Sequence, residues 1–173
     1  MINIQNSIIK LRELEPEDID FLYNTENDTS LWKISNTTKP FSKYVLNEYI
    51  KSSHNDIFTS KQQRFIIETI KENKVVGMID LFNYEPLHLR AEVGINVIVS
   101  EQRKNYAENA LSLLKKYCIN VLRLNQIYCN INSNNIASIK LFEKCDYKYS
   151  GKKEQWLNTS DGFKDVSFYQ LFL

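Results

Sequence analysis

The stretch from Ala91 to Asn132 constrains this chain most. An apolar run rich in β-branched residues, "AEVGINVIV" (91–99), passes through a short polar turn into a helical stripe, and a second such run, "QIYCNIN" (126–132), follows. In the stripe Ala107, Ala110, Leu111, Leu114, Cys118, Val121 and Leu122 recur at steps of three and four, which gathers them on one side of a helix. Strands joined through a helix can lie parallel in one sheet, and the crossover between them is then right-handed.

The rest of the chain extends that unit in both directions. "SIIKLREL" (7–14) predicts a first strand. "EPEDIDFLYNTEN" (15–27) predicts a helix with Pro16 near its start and acids in its first turn. "SLWKISNTTKPF" (30–41) reads as a loop, and "SKYVLNEYIKSSH" (42–54) as a second helix capped by Ser42. "QRFIIETI" (63–70) and "KVVGMIDLF" (74–82) form a hairpin across "KEN". After "QIYCNIN", "NIASIKLFEKC" (135–145) predicts a helix capped by Asn134 or Asn135, and "YKYSGKKEQWL" and "VSFYQLFL" predict two closing strands around "SDG" (160–162). This order describes an α/β protein of mixed, α+β-like character, with six to seven strands and helices on both faces. No repeat, low-complexity run or linker divides it, so one domain over 1–173 is expected.

Composition narrows the function. A net charge of +1 with interspersed signs gives no general field for nucleic acid or an anionic membrane. No run approaches the ~18–20 apolar residues that cross a bilayer. The N-terminal stretch has neither a secretory pattern nor the acid-poor character of a transit peptide, which makes the cytoplasm the expected location. Cys118, Cys129 and Cys145, and likewise His54 and His88, lack metal-type spacing; reduced thiols and no metal site are expected.

The turn "EQRKNYAENAL" (101–111) is where chemistry is expected. A strand-to-helix turn gathers unpaired N–H groups at the positive end of a helix dipole, a ready anion site. Such a turn usually needs a residue with positive φ. Glycine is absent, and Asn105, the next most tolerant type, stands where the chain must bend. Arg103 and Lys104 add positive charge. With no G-K-[ST] and no G-x-G-x-x-G, the turn is neither a triphosphate loop nor a dinucleotide fingerprint.

Alternation along 91–99 puts Val93, Ile95, Val97 and Val99 on one face and Glu92, Gly94, Asn96 and Ile98 on the other. A carboxylate beside a small glycine on a central strand can face a cleft, which makes Glu92 a candidate base.

"QRKNYA" (102–107) resembles the [Q/R]-x-x-G-x-[G/A] turn of the GNAT family, the Gcn5-related N-acetyltransferases, with Asn105 in place of the glycine and Ala107 in the final position. "NNIASIKLFEKCDY" (134–147) resembles the family's later motif, roughly N-x-A-S-x-x-L-Y-E-K-x-G-F, with Phe142 for Tyr, Asp146 for Gly and Tyr147 for Phe. "LRELEPEDIDFLY" and "VVGMIDLFNYEPLHLRAEVGINV" resemble the branch that contains ribosomal-protein N-terminal and spermidine acetyltransferases; the resemblance is weakest over about 26–62.

The resemblance implies a mixed-sheet acetyltransferase that uses acetyl-coenzyme A as cosubstrate. It implies that residues 103–107 (Arg103, Lys104, Asn105, Tyr106 and Ala107) hold the diphosphate, that Ile98 and Val99 pair with the pantetheine arm, and that Asn135 hydrogen-bonds the coenzyme. Glu92 would deprotonate a primary amine, either a polyamine-like molecule or a protein N-terminus, for direct attack in a ternary complex. The family's Tyr, which protonates the leaving thiolate, is Phe142 here; Tyr147, Tyr106 and Tyr128 are the substitutes, with Tyr147 taken first. A homodimer is the family habit, and the rival expectation is a degenerate acyl-coenzyme A sensor or structural module.

Overall fold

The computed structural model describes residues 4–35 and 37–173, with the side chains of 33–35 left aside. Residues 1–3 of the N-terminal segment and Asn36 of the expected loop lie outside them.

One mixed sheet carries seven strands: β1 (Ile9–Arg12), β2 (Gln63–Thr69), β3 (Val75–Glu85), β4 (Arg90–Val97), β5 (Gln126–Asn132), β6 (Lys148–Thr159) and β7 (Gly162–Phe172), in spatial order 1-2-3-4-5-7-6. Every neighbouring pair is antiparallel except β4 and β5, which run parallel as the strand–helix–strand pattern requires. Six helices accompany the sheet among the described residues: α1 (Ile19–Glu26), α2 (Thr29–Ser35), α3 (Lys43–Ser52), α4 (Ile57–Ser60), α5 (Tyr106–Tyr117) and α6 (Ile136–Lys144).

Strand alternation sorts the core into two clusters. Ile67, Ile79, Val93, Ile127 and Cys129 meet Ala110, Leu111 and Leu114 of α5 on one face. Ile66 and Met78 meet Leu22 of α1 and Leu46 and Ile50 of α3 on the other. Adjacent residues such as Ile66 and Ile67 thus enter different clusters, as a two-residue period demands.

The structure departs from the sequence expectation at α2, at the unforeseen short helix α4 and within the α5 stripe. The loop expected over 30–41 begins as α2. Asp28 nucleates it: its carboxylate accepts from the Ser30 N–H at 2.9 Å and its carbonyl from the Leu31 N–H at 3.0 Å, while the Trp32 indole donates to the Glu26 carbonyl at 2.9 Å. A seven-residue helix held by caps needs no long apolar stripe, so periodicity does not reveal it. The α5 stripe also changes pitch, into a wider π-type turn over Cys118–Leu122 that swings Val121 into solvent and closes on Arg123 at φ 51°.

All three cysteines are unpaired thiols, Cys118 and Cys129 buried and Cys145 partly so. Burial pushes the Cys118 thiol up to about 12 and the Cys145 thiol up to about 11, which leaves both protonated and unreactive.

Candidate active site

The sheet is open at one place. β4 and β5 pair only at Arg90–Glu92 with Gln126–Tyr128, and then part; residues 93–97 and 129–132 have no partner across the gap. The strands diverge toward their C-terminal ends, where α5 and α6 begin. Both helix N-termini therefore flank the mouth of the fork.

The turn before α5 is built for an anion. Arg103 and Asn105 both take the left-handed conformation, at φ 63° and 62°. Asn105 is the residue before the helix, as the sequence suggests; Arg103 was not foreseen there. The first hydrogen bond of α5 runs from the Asn109 N–H to the Asn105 carbonyl at 3.1 Å, and the amides of residues 103–108 meet no acceptor among the described residues. Left-handed turn residues that lead into a helix start converge such amides into an anion-binding concavity.

The two basic side chains are not equivalent. Lys104 Nζ lies 2.9 Å from Glu101, whose other oxygen takes Lys74 Nζ at 2.6 Å. Hydrogen bonds from Lys74 and then Lys104 hold the buried Glu101 carboxyl below its usual range. Arg103 is exposed and has no ionic partner among the described residues. Tyr106 and Ala107 pack partly against the core and fix the direction of the first helical turn.

The free edge of the fork differs from the expected Ile98 and Val99, because β4 ends at Val97. Ile98 gives its N–H to Val76 at 2.9 Å and its carbonyl accepts from Glu101 at 2.8 Å. Val99 opens a 3-10 turn, and its carbonyl accepts from Gln102 at 3.3 Å. Because Ile98 bonds to β3, alternation turns the backbone groups of Val93, Ile95 and Val97 toward the gap. The Val97 carbonyl already accepts from Gln102 Nε2 at 3.1 Å, while the Ile95 groups and the Val97 N–H form an open edge for an extended, amide-bearing molecule. At the other flank Asn135 caps α6, its Oδ1 accepting from the Ser138 N–H at 3.1 Å, which leaves its amide N–H groups without a protein acceptor among the described residues.

Glu92 sits at the vertex. One carboxylate oxygen accepts from Asn83 Nδ2 at 2.9 Å and the other from Asn130 Nδ2 at 2.7 Å, the latter reaching across from β5. Of a carboxylate's roughly four acceptor positions, two stay open. Its face is the one away from α5, shared with Tyr128, Asn130 and Asn132 of β5. The expected space over Gly94 is filled: a Cβ there would stand 3.1 Å from the Phe82 ring. Asn83 and Asn130 escaped the sequence reading, although the alternation of "QIYCNIN" places Asn130 on the Glu92 face.

Tyr147 lies on the opposite, α5 face. It is 3% exposed, edge-on to Phe142 at 4.9 Å between ring centres, and its hydroxyl has no partner among the described residues. It lines a cavity of about 200 Å³ between α5 and α6 with Leu111, Ser112, Cys145 and Leu171. Burial, reinforced by the nearby Cys129, Cys118 and Cys145 thiols, pushes its pKa well up and keeps the phenol protonated. The sheet therefore separates Glu92 from Tyr147. Tyr128, by contrast, shares the Glu92 face and packs on Phe168 at 5.4 Å.

An acetyltransferase (GNAT) domain model matches residues 9–148. The chain belongs to the GNAT acetyltransferase family. Its GNAT relatives include the spermidine N(1)-acetyltransferase of Vibrio cholerae, 24% identical over 161 residues that cover 93% of this chain and 91% of the relative. That of Escherichia coli is 26% identical over 144 residues, covering 83% and 75%. The fold overlays the crystal structure of the Vibrio cholerae spermidine N-acetyltransferase in complex with CoA and spermine at a TM-score of 0.84, with 23% identity over 96% of each chain. A structure described as a probable acetyltransferase overlays at 0.85, with 23% identity over 99% and 97%.

This GNAT member is an acetyl-coenzyme A-dependent N-acetyltransferase. Its residues fit the cosubstrate: unpaired amides and a free arginine suit a diphosphate, and the open strand edge suits the pantetheine amides. Among the described residues no helix is long and apolar enough to cross a membrane, and no group of three or more His, Cys, Asp or Glu could hold a metal ion.

Proposed function

We propose that the acceptor is a terminal primary amine of a polyamine-type cation, with Glu92 as base. The observation that carries this reading is the fork, which holds the Glu92 carboxylate at its vertex and unpaired helix-start amides at its mouth. The amides of 103–108 and Arg103 take the diphosphate, with Lys104, Asn105, Tyr106 and Ala107 shaping the turn. The arm lies along the β4 edge that ends at Val97, with Ile98 and Val99 just beyond it, and Asn135 donates to it.

An alkylammonium, with a pKa near about 10.4, must lose a proton before it can attack. Glu92 takes that proton, and the freed nitrogen lone pair forms the C–N bond to the thioester carbonyl carbon. The C–S bond breaks, its electron pair leaves on sulfur, and the amide nitrogen sheds its remaining extra proton. In balance, R–NH3⁺ and the acetyl thioester become the N-acetyl amide, the free thiol and one proton. Tyr147, buried across the sheet from Glu92, does not reach the same thioester, so the leaving sulfur takes its proton from Tyr128, which shares the Glu92 face, or from water.

A polycation is favoured by the Glu92 face. On it Glu26 and Asp80 share the single cation Arg64, and Glu92 adds a carboxylate with no ionic partner among the described residues, a local acidic excess that suits a cation. The names of the relatives in Vibrio cholerae and Escherichia coli support the same class. The reading takes 1–173 as one catalytic domain that works in the cytoplasm. It also includes self-association as a homodimer; a dodecameric relative supports assembly in general. The test is thiol release from acetyl-coenzyme A across a panel of polyamines, monoamines and peptide N-termini, with the molar mass measured by light scattering. Turnover confined to peptide N-termini would overturn the polyamine assignment.

A further inference from the structure

Asn130 is held at one end and unused at the other. Its Nδ2 donates to Glu92 at 2.7 Å, which fixes the rotation of the amide, since the reverse orientation would set oxygen against carboxylate. The carbonyl Oδ1 thus oriented is buried and accepts no hydrogen bond among the described residues. Buried acceptors are seldom left unpaired, and a persistent one points to a partner that arrives with a ligand.

Its place identifies that partner. Asn130 lies two residues beyond Tyr128, the last β5 residue paired with β4, and so stands where the sheet opens, on the face of Glu92. We infer that Asn130 Oδ1 accepts an N–H from the attacking nitrogen, which makes Glu92 and Asn130 a two-point grip selective for primary amines. The inference rests on the reading of Glu92 as the base for an amine acceptor.

A primary amine freed of its extra proton keeps two N–H bonds, one for each acceptor. An N-methyl secondary amine keeps one, so with it Glu92 or Asn130 Oδ1 goes unpaired. A site that loses a hydrogen bond to its substrate discriminates strongly, whereas an apolar site barely senses the same change. The Asn130 amide also orients Glu92, so an effect on rate alone would not separate the two roles.

The experiment compares kcat/KM for spermidine and for its terminally N-methylated analogue in the wild type, Asn130→Leu and Asn130→Asp, with coenzyme A affinity measured calorimetrically on each. The wild type should prefer the primary amine by at least about 10-fold. Asn130→Leu should bring that ratio to within about 3-fold of unity, with coenzyme A affinity held within about 2-fold; Asn130→Asp, which keeps an oxygen acceptor, should retain the preference at a lower rate. Should the leucine variant unfold, Asn130→Ala removes the same oxygen. An unchanged ratio in an active leucine or alanine variant, or a loss confined to coenzyme A binding, overturns this inference alone. A wild type that acetylates no primary amine overturns the reading beneath it and takes this inference with it.

Discussion

The closed half of the sheet and its forked half treat polar groups in opposite ways. On the closed side β2 pairs with both neighbours, and the charges that are largely buried have partners. Arg12 bridges Asp18, at 2.7 Å, and Glu68, while Arg64 reaches Glu26 at 2.5 Å and Asp80 at 2.7 Å. Burial opposes the Arg64 charge, but the Asp80 and Glu26 carboxylates more than restore it, with the Tyr49 ring 5.4 Å away. On the forked side the amides of 103–108, Arg103 and Asn130 Oδ1 have no such partners among the described residues. Of these only Asn130 Oδ1 is buried, and a buried acceptor is normally satisfied, so there a ligand completes the set; the exposed amides and Arg103 are hydrated until an anion arrives.

The largest expected effect tests the forked side. Glu92→Gln should lower kcat by about 10²–10⁴-fold, the range of a positioned general base, with coenzyme A affinity unchanged. A loss below about 3-fold would remove Glu92 from the chemistry. Next comes the closed side. Arg64→Met strands two largely buried carboxylates and should cost about 3 kcal/mol in urea unfolding, near the lower end for a broken buried pair because Arg64 keeps some solvent contact. If instead stability held and only turnover fell, Arg64 would belong to the substrate cleft.

The closed side should also fail first in acid. Burial alone would raise the Asp18 and Glu68 carboxyls. Arg12 at Asp18, and Lys10 and Arg12 at Glu68, more than offset it, so both folded-state pKa values lie below their usual ones. A depressed folded-state pKa contributes stability that is present above the unfolded value of about 4 and is lost as pH falls through the folded one. The melting temperature should drop from about pH 5 downward, and less steeply in Glu68→Gln.

The halves also differ in how legible they were from residues. The strand–helix–strand unit, the Ser42 cap and the left-handed Asn105 followed from local rules of period and turn chemistry. The partners of Glu92 did not. Asn83 and Asn130 come from different strands, and only the register brings them together. Helix α2 was hidden because its stability comes from Asp28 and the Trp32–Glu26 contact rather than from a stripe. The strand expected over 91–99 stops at Val97, because strand ends are set by tertiary pairing, which no local pattern reports.

Within the turn the comparison can be made between neighbours. Arg103→Ala should weaken coenzyme A binding about 10-fold, the worth of one charge-assisted contact to a phosphate. Lys104→Ala should weaken it only about 2-fold, since Glu101 already holds that ammonium. Titration calorimetry at two salt concentrations checks both, and equal losses would mean that Lys104 leaves Glu101 when the phosphate arrives.

The smallest effect is expected at Asn105. A side chain in the left-handed region carries a penalty of about 1–2 kcal/mol for most residues and less for Asn, which can bond locally. Here the Asn105 side chain makes no cap bond to the helix, so little offsets what remains of that penalty. Asn105→Gly would remove it in the folded state but free the unfolded chain, two effects of opposite sign. The net gain should be about 0.5 kcal/mol by urea unfolding, with coenzyme A affinity unaltered because the amides keep their directions. A marked loss of affinity would show that the Asn105 side chain itself touches the ligand, so that the turn binds through more than its main chain.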